Sequence, residues 1–172
     1  MKSEELRAIQ APIKELYRNN PESAIVTLKA EGNLGENVSC KVETGKALRE
    51  AGLHKATGGS GLLACSGDML LEALVACAGV TLGAVATSMG IELKGGVVKA
   101  EGDLDFRGTL GVSKDVPVGF KEIRLNFIIE SIAQEEQIQK LIQLTERYCV
   151  VFQTISNPCK VDVSYKNIAR TS

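Results

Sequence analysis

The sequence predicts an α+β domain, an antiparallel sheet packed against one long buried central helix, and three observations lead there. Residues 70–90, LLEALVACAGVTLGAVATSMG, form a long apolar run whose single charge is Glu72. Residues 98–106 and 122–130 alternate apolar and polar side chains, the pattern of half-buried strands. Residues 134–149 place Ile138, Leu141, Ile142, Thr145 and Tyr148 at the spacing of an amphipathic helix.

Taken in chain order, residues 4–18 read as a helix interrupted or restarted at Pro12 and ended by Asn19, Asn20 and Pro21. Residues 1–20 are thus a helical extension of one domain spanning residues 1–172. Residues 23–31 (SAIVTLKAE) and 37–43 (NVSCKVE) read as a hairpin with its turn at Gly32 to Gly35. Residues 44–65 are a Gly-rich connection long enough to have a function of its own. The run from Met69 to Ile91 has the length of a membrane span. It is diluted by Gly79, Gly83, Gly90 and five alanines, and it lacks basic flanks and aromatic belts. We therefore read it as a core helix whose small residues admit close neighbours, with Ser66 as N-cap, Asp68 in the first turn and Gly90 as the stop.

After that helix, Val98, Ala100, Leu104 and Phe106 alternate with Lys99, Glu101, Asp103 and Asp105, and Ile123, Leu125, Phe127 and Ile129 with their charged neighbours. The stretch GTLGVSKDVPVG between them is a loop. The amphipathic helix brings Cys149 to its C-terminal end on the buried side, and Val161, Val163 and Tyr165 suggest a last strand. A helix this apolar is hard to cover with a chain of 172 residues, which points to a homodimer.

Charge and composition narrow the function. Twenty basic residues against 21 acidic ones leave no positive excess to follow a phosphate backbone, so nucleic acid is not an expected partner. The N-terminus, MKSEELRAIQ, lacks the apolar run of a signal peptide, which indicates a cytoplasmic protein with no membrane partner. Five cysteines, an odd number, do not form the framework of a disulfide-rich secreted protein and read as free thiols. The sequence has no C-x-x-C motif, and its only histidine, His54, reads as an exposed loop residue. Neither a zinc site nor a Ser-His-Asp hydrolase is indicated, and no cofactor is expected. GSGLLA at residues 59–64 matches G-x-G-x-x-A without the preceding strand that a dinucleotide site requires. Cys65 lies 12 residues before Cys77, about 18 Å along a helix and too far to bridge. Cys40, Cys65 and Cys159 read as structural.

The segment SGDMLLEALVACAG, the strand and PVGF loop that follow, and the helix ending ERYCVVFQTI resemble the OsmC/Ohr superfamily, the osmotically inducible protein C and organic hydroperoxide resistance proteins. The resemblance covers roughly residues 23–166. It implies an OsmC-like fold, an intertwined homodimer with its sites at the interface, and a peroxidase of organic hydroperoxides acting in oxidative stress defence. It further implies that Cys77 is the peroxidatic thiol, that Cys149 resolves it as a disulfide, and that a dithiol reductant such as a lipoylated protein restores both. Such chemistry needs a thiolate and a second thiol. Cys149, at a helix C-terminus, faces the negative end of the dipole and suits the resolving role. Cys77 lies three turns inside its helix, where burial raises its pKa, so a cation is expected to reach it.

The family draws that cation from an arginine in the first hairpin, paired with a glutamate ten residues before the peroxidatic cysteine. In this chain the hairpin turn, EGNLGEN, has no arginine, Gly67 occupies the glutamate position, and Val150 stands where the family often has proline. Arg18 and Arg49 are the nearest basic residues in sequence, and Asp68 and Glu72 the nearest acidic ones, as activating or lining groups. Two other functions fit the same residues, a non-catalytic protein that binds an apolar small molecule at the dimer interface and a thiol redox sensor.

Overall fold

Helix α1 (Ser3–Asn19) runs unbroken through Pro12, where the sequence suggests an interruption. Pro12 and Ala8 are both exposed, so water can satisfy the Ala8 carbonyl that the proline leaves without its amide partner. The computed structural model describes residues 3–35, 39–42, 51–62, 64–157 and 159–167. Tyr17 is the buried anchor of α1, and its hydroxyl donates to the Ala56 carbonyl at 2.6 Å, tying the helix to a short 3-10 turn at Lys55–Thr57. His54 caps that turn, accepts from the Ala56 N–H through Nδ1 and stacks on Phe106 with centroids 4.8 Å apart. It is therefore a half-buried packing residue and not the exposed loop residue expected.

A 3-10 turn over Pro21–Ala24 leads into β1 (Ile25–Gly35), which pairs antiparallel with β2 (Ser39–Val42). The expected turn at Gly32 to Gly35 is instead the end of β1, because Gly32 and Asn33 pair on both sides, with Val42 and Lys41 and with Val98 and Val97. Two ladders outweigh the local turn preference of the glycines. Residues 36–38 lie outside the described residues, and with them the ends of the second expected strand at 37, 38 and 43.

The sheet continues through β3 (Gly95–Asp105) and β4 (Phe120–Glu130) in the order β2-β1-β3-β4, antiparallel throughout. Val98, Ala100 and Leu104 face the core. On the opposite face Arg124 bridges Asp103 at 2.7 Å, Glu122 at 3.4 Å and Glu101 at 3.7 Å. Asp105 caps a single helical turn, α3 (Phe106–Thr109), within the segment expected to be a loop. Its buried carboxylate also takes a bidentate ion pair from Arg107.

Helix α2 (Ser66–Met89) lies across the inner face of the sheet. Its N-cap is Cys65 without a side-chain hydrogen bond, so Ser66 is the first helical residue and not the cap. Gly90 ends the helix at φ 67°, a left-handed position that favours glycine. Although α2 has the length and hydropathy of a membrane span, Leu71, Leu74, Val75, Ala78, Leu82, Val85 and Ala86 are buried inside the structure, making it a core helix. Helix α4 (Glu135–Tyr148) opens with a capping box between Gln134 and Gln137 and packs on the C-terminal half of α2. A further helix, α5 (Val150–Ser156), follows after the single residue Cys149. The last strand suggested by Val161, Val163 and Tyr165 does not form: residues 159–167 have no regular structure, and Val163 is 91% exposed. No described strand neighbours this segment.

Candidate active site

The fold brings Cys77, from the middle of α2, against Cys149, which is at once the C-cap of α4 and the N-cap of α5. The two sulfurs are in hydrogen-bond contact, and both cysteines are free. Cys149 is 1% exposed, while Cys77 is half-buried and keeps access from one side. Extended backbone at Cys149 (φ −73°, ψ 106°) interrupts the α4 ladder and starts a new helix. The first N–H groups of any helix lack intrahelical partners, and in α5 the sulfurs take them. Val150 and Val151 donate to Cys77, Phe152 donates to Cys149 Sγ at 3.5 Å, and Gln153 donates to the Cys149 carbonyl at 2.9 Å.

This arrangement separates the acidities of the two thiols. Burial pushes Cys77 up, but hydrogen bonds from the Val151 N–H, the Cys149 thiol, the Thr81 hydroxyl and the Val150 N–H outweigh it, and its pKa lies below the ordinary thiol value. Cys149 moves the other way. Burial pushes it up to about 11, the Phe152 N–H opposes that, and the neighbouring Cys77 sulfur adds to it. Cys77 therefore ionises first, with Cys149 as its proton-bearing partner.

Among the described residues, the groups that lower the Cys77 pKa are dipoles, and no cation is one of them. Arg18 is exposed on α1 and paired with Glu15 at 3.1 Å, and it is not among the groups acting on Cys77. Arg49 lies outside the described residues. Asp68 and Glu72 are on α2, nine and five residues before Cys77, which turns them about 180° and about 140° around the helix from it. Neither acts on its sulfur. The residues that do so, Thr81, Val150 and Val151, were not singled out in the sequence. Thr81 had a legible signal, its place one turn after Cys77 on the same face. Among the other cysteines, Cys65 packs against the core as expected, Cys159 is exposed and not a structural thiol, and the Cys40 side chain is not described.

An apolar groove of about 710 Å3 lies between α2, α4, α5 and β4 and shares Phe152 with the site. Its walls are Ile123, Leu125 and Phe127 of β4, Leu70 and Leu74 of α2, Ile142 of α4, and Phe152 and Ile155 of α5, with Lys121, Glu122 and Glu146 at its polar positions. Leu70, Leu74, Cys77 and Thr81 recur every three or four residues, so one strip of α2 carries both the groove wall and Cys77. Phe152 belongs to both as well, lining the groove while its N–H meets Cys149. Among the described residues, no cluster of three or more His, Cys, Asp or Glu side chains could hold a metal ion.

Comparison with known proteins agrees with this architecture. No curated protein sequence matches the chain. An OsmC-like hydroperoxide resistance protein from Jannaschia sp. CCS1 superimposes with a TM-score of 0.62 at 17% identity, covering 84% of this chain and 95% of that one. An OsmC-like protein from Mycoplasma pneumoniae gives 0.54 at 20% identity, covering 78% and 86%. At these identities the likeness is one of fold. The model of the OsmC-like protein family matches residues 59–164, more than half of the sequence, from the loop before α2 to beyond α5 and including both site cysteines. The chain therefore belongs to the OsmC-like protein family.

Proposed function

We propose that this protein is a cysteine-based peroxidase that reduces organic hydroperoxides, with Cys77 as nucleophile and Cys149 as resolving thiol. The observation that carries the reading is the contact between two free thiols whose acidities are driven apart. The Cys77 thiolate attacks the distal oxygen of the hydroperoxide. The O–O bond breaks, an alkoxide leaves, and Cys77 becomes a sulfenic acid. Cys149 then attacks the Cys77 sulfur, the hydroxyl departs as water after protonation, and a disulfide remains. The two thiols supply both electrons, and a dithiol reductant, a lipoylated protein being one candidate, restores them by exchange. The apolar groove supports an organic rather than a small inorganic peroxide. A cytoplasmic role in oxidative stress defence is consistent with thiols that must be kept reduced.

The active form we propose is a homodimer. Met69, Ala73, Val80 and Ala84 form one exposed apolar stripe on α2, and Cys77 lies at its margin. Met69 is 38% and Val80 40% exposed, and a second copy seated on this stripe would shield the thiolate from water.

Intact mass and thiol titration, before and after one equivalent of an organic hydroperoxide, test the peroxidase reading. Loss of two thiols with the mass of two hydrogens, absent in Cys77→Ser and in Cys149→Ser, is expected. Unchanged thiols under excess peroxide would refute it. The same groove favours a second reading, a protein that binds an apolar ligand without turnover, and a copurifying ligand combined with inert thiols would establish that instead. A redox sensor would form the disulfide once and show no turnover with a dithiol.

A further inference from the structure

We infer that Cys149 is also the acid of the first chemical step, giving its proton to the alkoxide that leaves when Cys77 attacks the hydroperoxide. The inference rests on the peroxidase reading and adds a role which that reading leaves unassigned. Cleavage of the O–O bond releases an alkoxide, a base comparable in strength to hydroxide, so the step needs a proton donor. Among the described residues, the polar groups acting on the Cys77 sulfur are two backbone amides, the Thr81 hydroxyl and the Cys149 thiol. Amides do not release their protons, and an aliphatic hydroxyl is hardly a stronger acid than the alcohol being formed. The thiol is the one member of the set that can give up a proton to an alkoxide.

The geometry fits a donor held ready. Cys149 is buried at 1% exposure, anchored by Phe152 N–H to Sγ at 3.5 Å, and directed at Cys77 from the turn between α4 and α5. In the resting pair the Cys149 thiol keeps its proton and donates it in a hydrogen bond to the Cys77 sulfur. As that sulfur bonds to oxygen it loses its basicity, and the proton is free to go to the strongest base nearby, the departing alkoxide. Burial keeps the Cys149 thiol protonated at neutral pH, which a donor requires.

The step balances. Cys77 thiolate, hydroperoxide and Cys149 thiol give Cys77 sulfenic acid, alcohol and Cys149 thiolate: one S–O bond forms, one O–O bond breaks, and one proton moves from sulfur to oxygen. The Cys149 thiolate then forms the disulfide, releasing hydroxide that solvent protonates. One proton transfer both completes the first step and arms the nucleophile of the second.

The test is rapid-quench loss of the Cys77 thiol in the full-length protein, in wild type, Cys149→Ala and Cys149→Ser. Each is treated with an alkyl hydroperoxide, which expels an alkoxide, and with a peroxycarboxylic acid, which expels a carboxylate that needs no proton. The ratio of the two rates removes any change in Cys77 ionisation or local packing, because the same thiolate attacks both oxidants. We expect the ratio of alkyl hydroperoxide rate to peracid rate to fall about 10²-fold in both variants. A ratio within about threefold of wild type would overturn the acid role while leaving the peroxidase reading standing. Failure of wild-type Cys77 to react with either oxidant would overturn the peroxidase reading itself.

Discussion

Replacing Thr81 by valine keeps the size and branching of the side chain and removes one of the hydrogen bonds that lower the Cys77 pKa. A hydrogen bond to a charged group contributes about 1.5–3 kcal/mol, and one pKa unit corresponds to about 1.4 kcal/mol. Cys77 is half-buried, so water offers partial replacement and the lower end applies. The expected result is an upward shift of about one unit in Thr81→Val and, since the thiolate fraction falls with it, about tenfold slower alkylation of Cys77 at pH values well below its pKa. The assay is the pH dependence of Cys77 alkylation by a haloacetamide, followed by mass, with Cys77→Ser as blank. Below the Cys77 pKa the variant should be slower, and above both pKa values the two rates should converge. A titration curve within about 0.3 units of wild type would refute stabilisation of the thiolate by the Thr81 hydroxyl. Slow alkylation at every pH would indicate a blocked site instead.

Three other outcomes follow from the packing. Leu71 is fully buried between α2 and the sheet, and Leu71→Ala should lose about 3 kcal/mol, seen as a fall of about 1.5 M in the urea midpoint. Arg107 hydrogen bonds hold the Asp105 carboxyl below its usual value, so its contribution is present above the unfolded carboxylate pKa of about 3.9 and is lost as pH falls through the folded one. Asp105→Asn should cost about 1–3 kcal/mol at neutral pH, discounted because Arg107 keeps contact with water, and urea midpoints measured on acidification should flatten in the variant. Val80→Asp places a charge on the exposed stripe of α2, and light scattering should find the variant monomeric and the unsubstituted protein in the proposed dimer.

The parts of this fold legible in the sequence are those in which one long periodic pattern meets one environment. Helix α2, strands β3 and β4, and α4 lie within a few residues of their expected ranges because each has one continuous apolar face against the core. The end of β1 was not legible, since a Gly-Asn-Leu-Gly stretch reads as a turn until two partner strands claim it. Helix α5 is only seven residues long and rich in β-branched side chains, which by themselves favour a strand. Its helical signal was Val151, Phe152 and Ile155, spaced to pack one face on the core. Val161, Val163 and Tyr165 have the alternation of a strand, yet alternation specifies a strand only where a sheet edge receives it. At the site, the meeting of the two cysteines was legible from their surroundings, but the groups that lower the Cys77 pKa were not. Two of these are backbone amides, and no side-chain pattern reports where an amide will point.

Encoding the activation in the main chain changes which substitutions the site can tolerate. An arginine near a thiolate is lost by many single exchanges, whereas the amides of residues 150 and 151 survive any exchange that preserves the break at Cys149. The side chains there are free to vary with the surface around them. The exception is proline, which suits the first position of a helix but carries no N–H. At residue 150 it would leave α5 standing and remove a donor to the Cys77 sulfur. Val150 thus contributes through an atom that every residue except proline possesses.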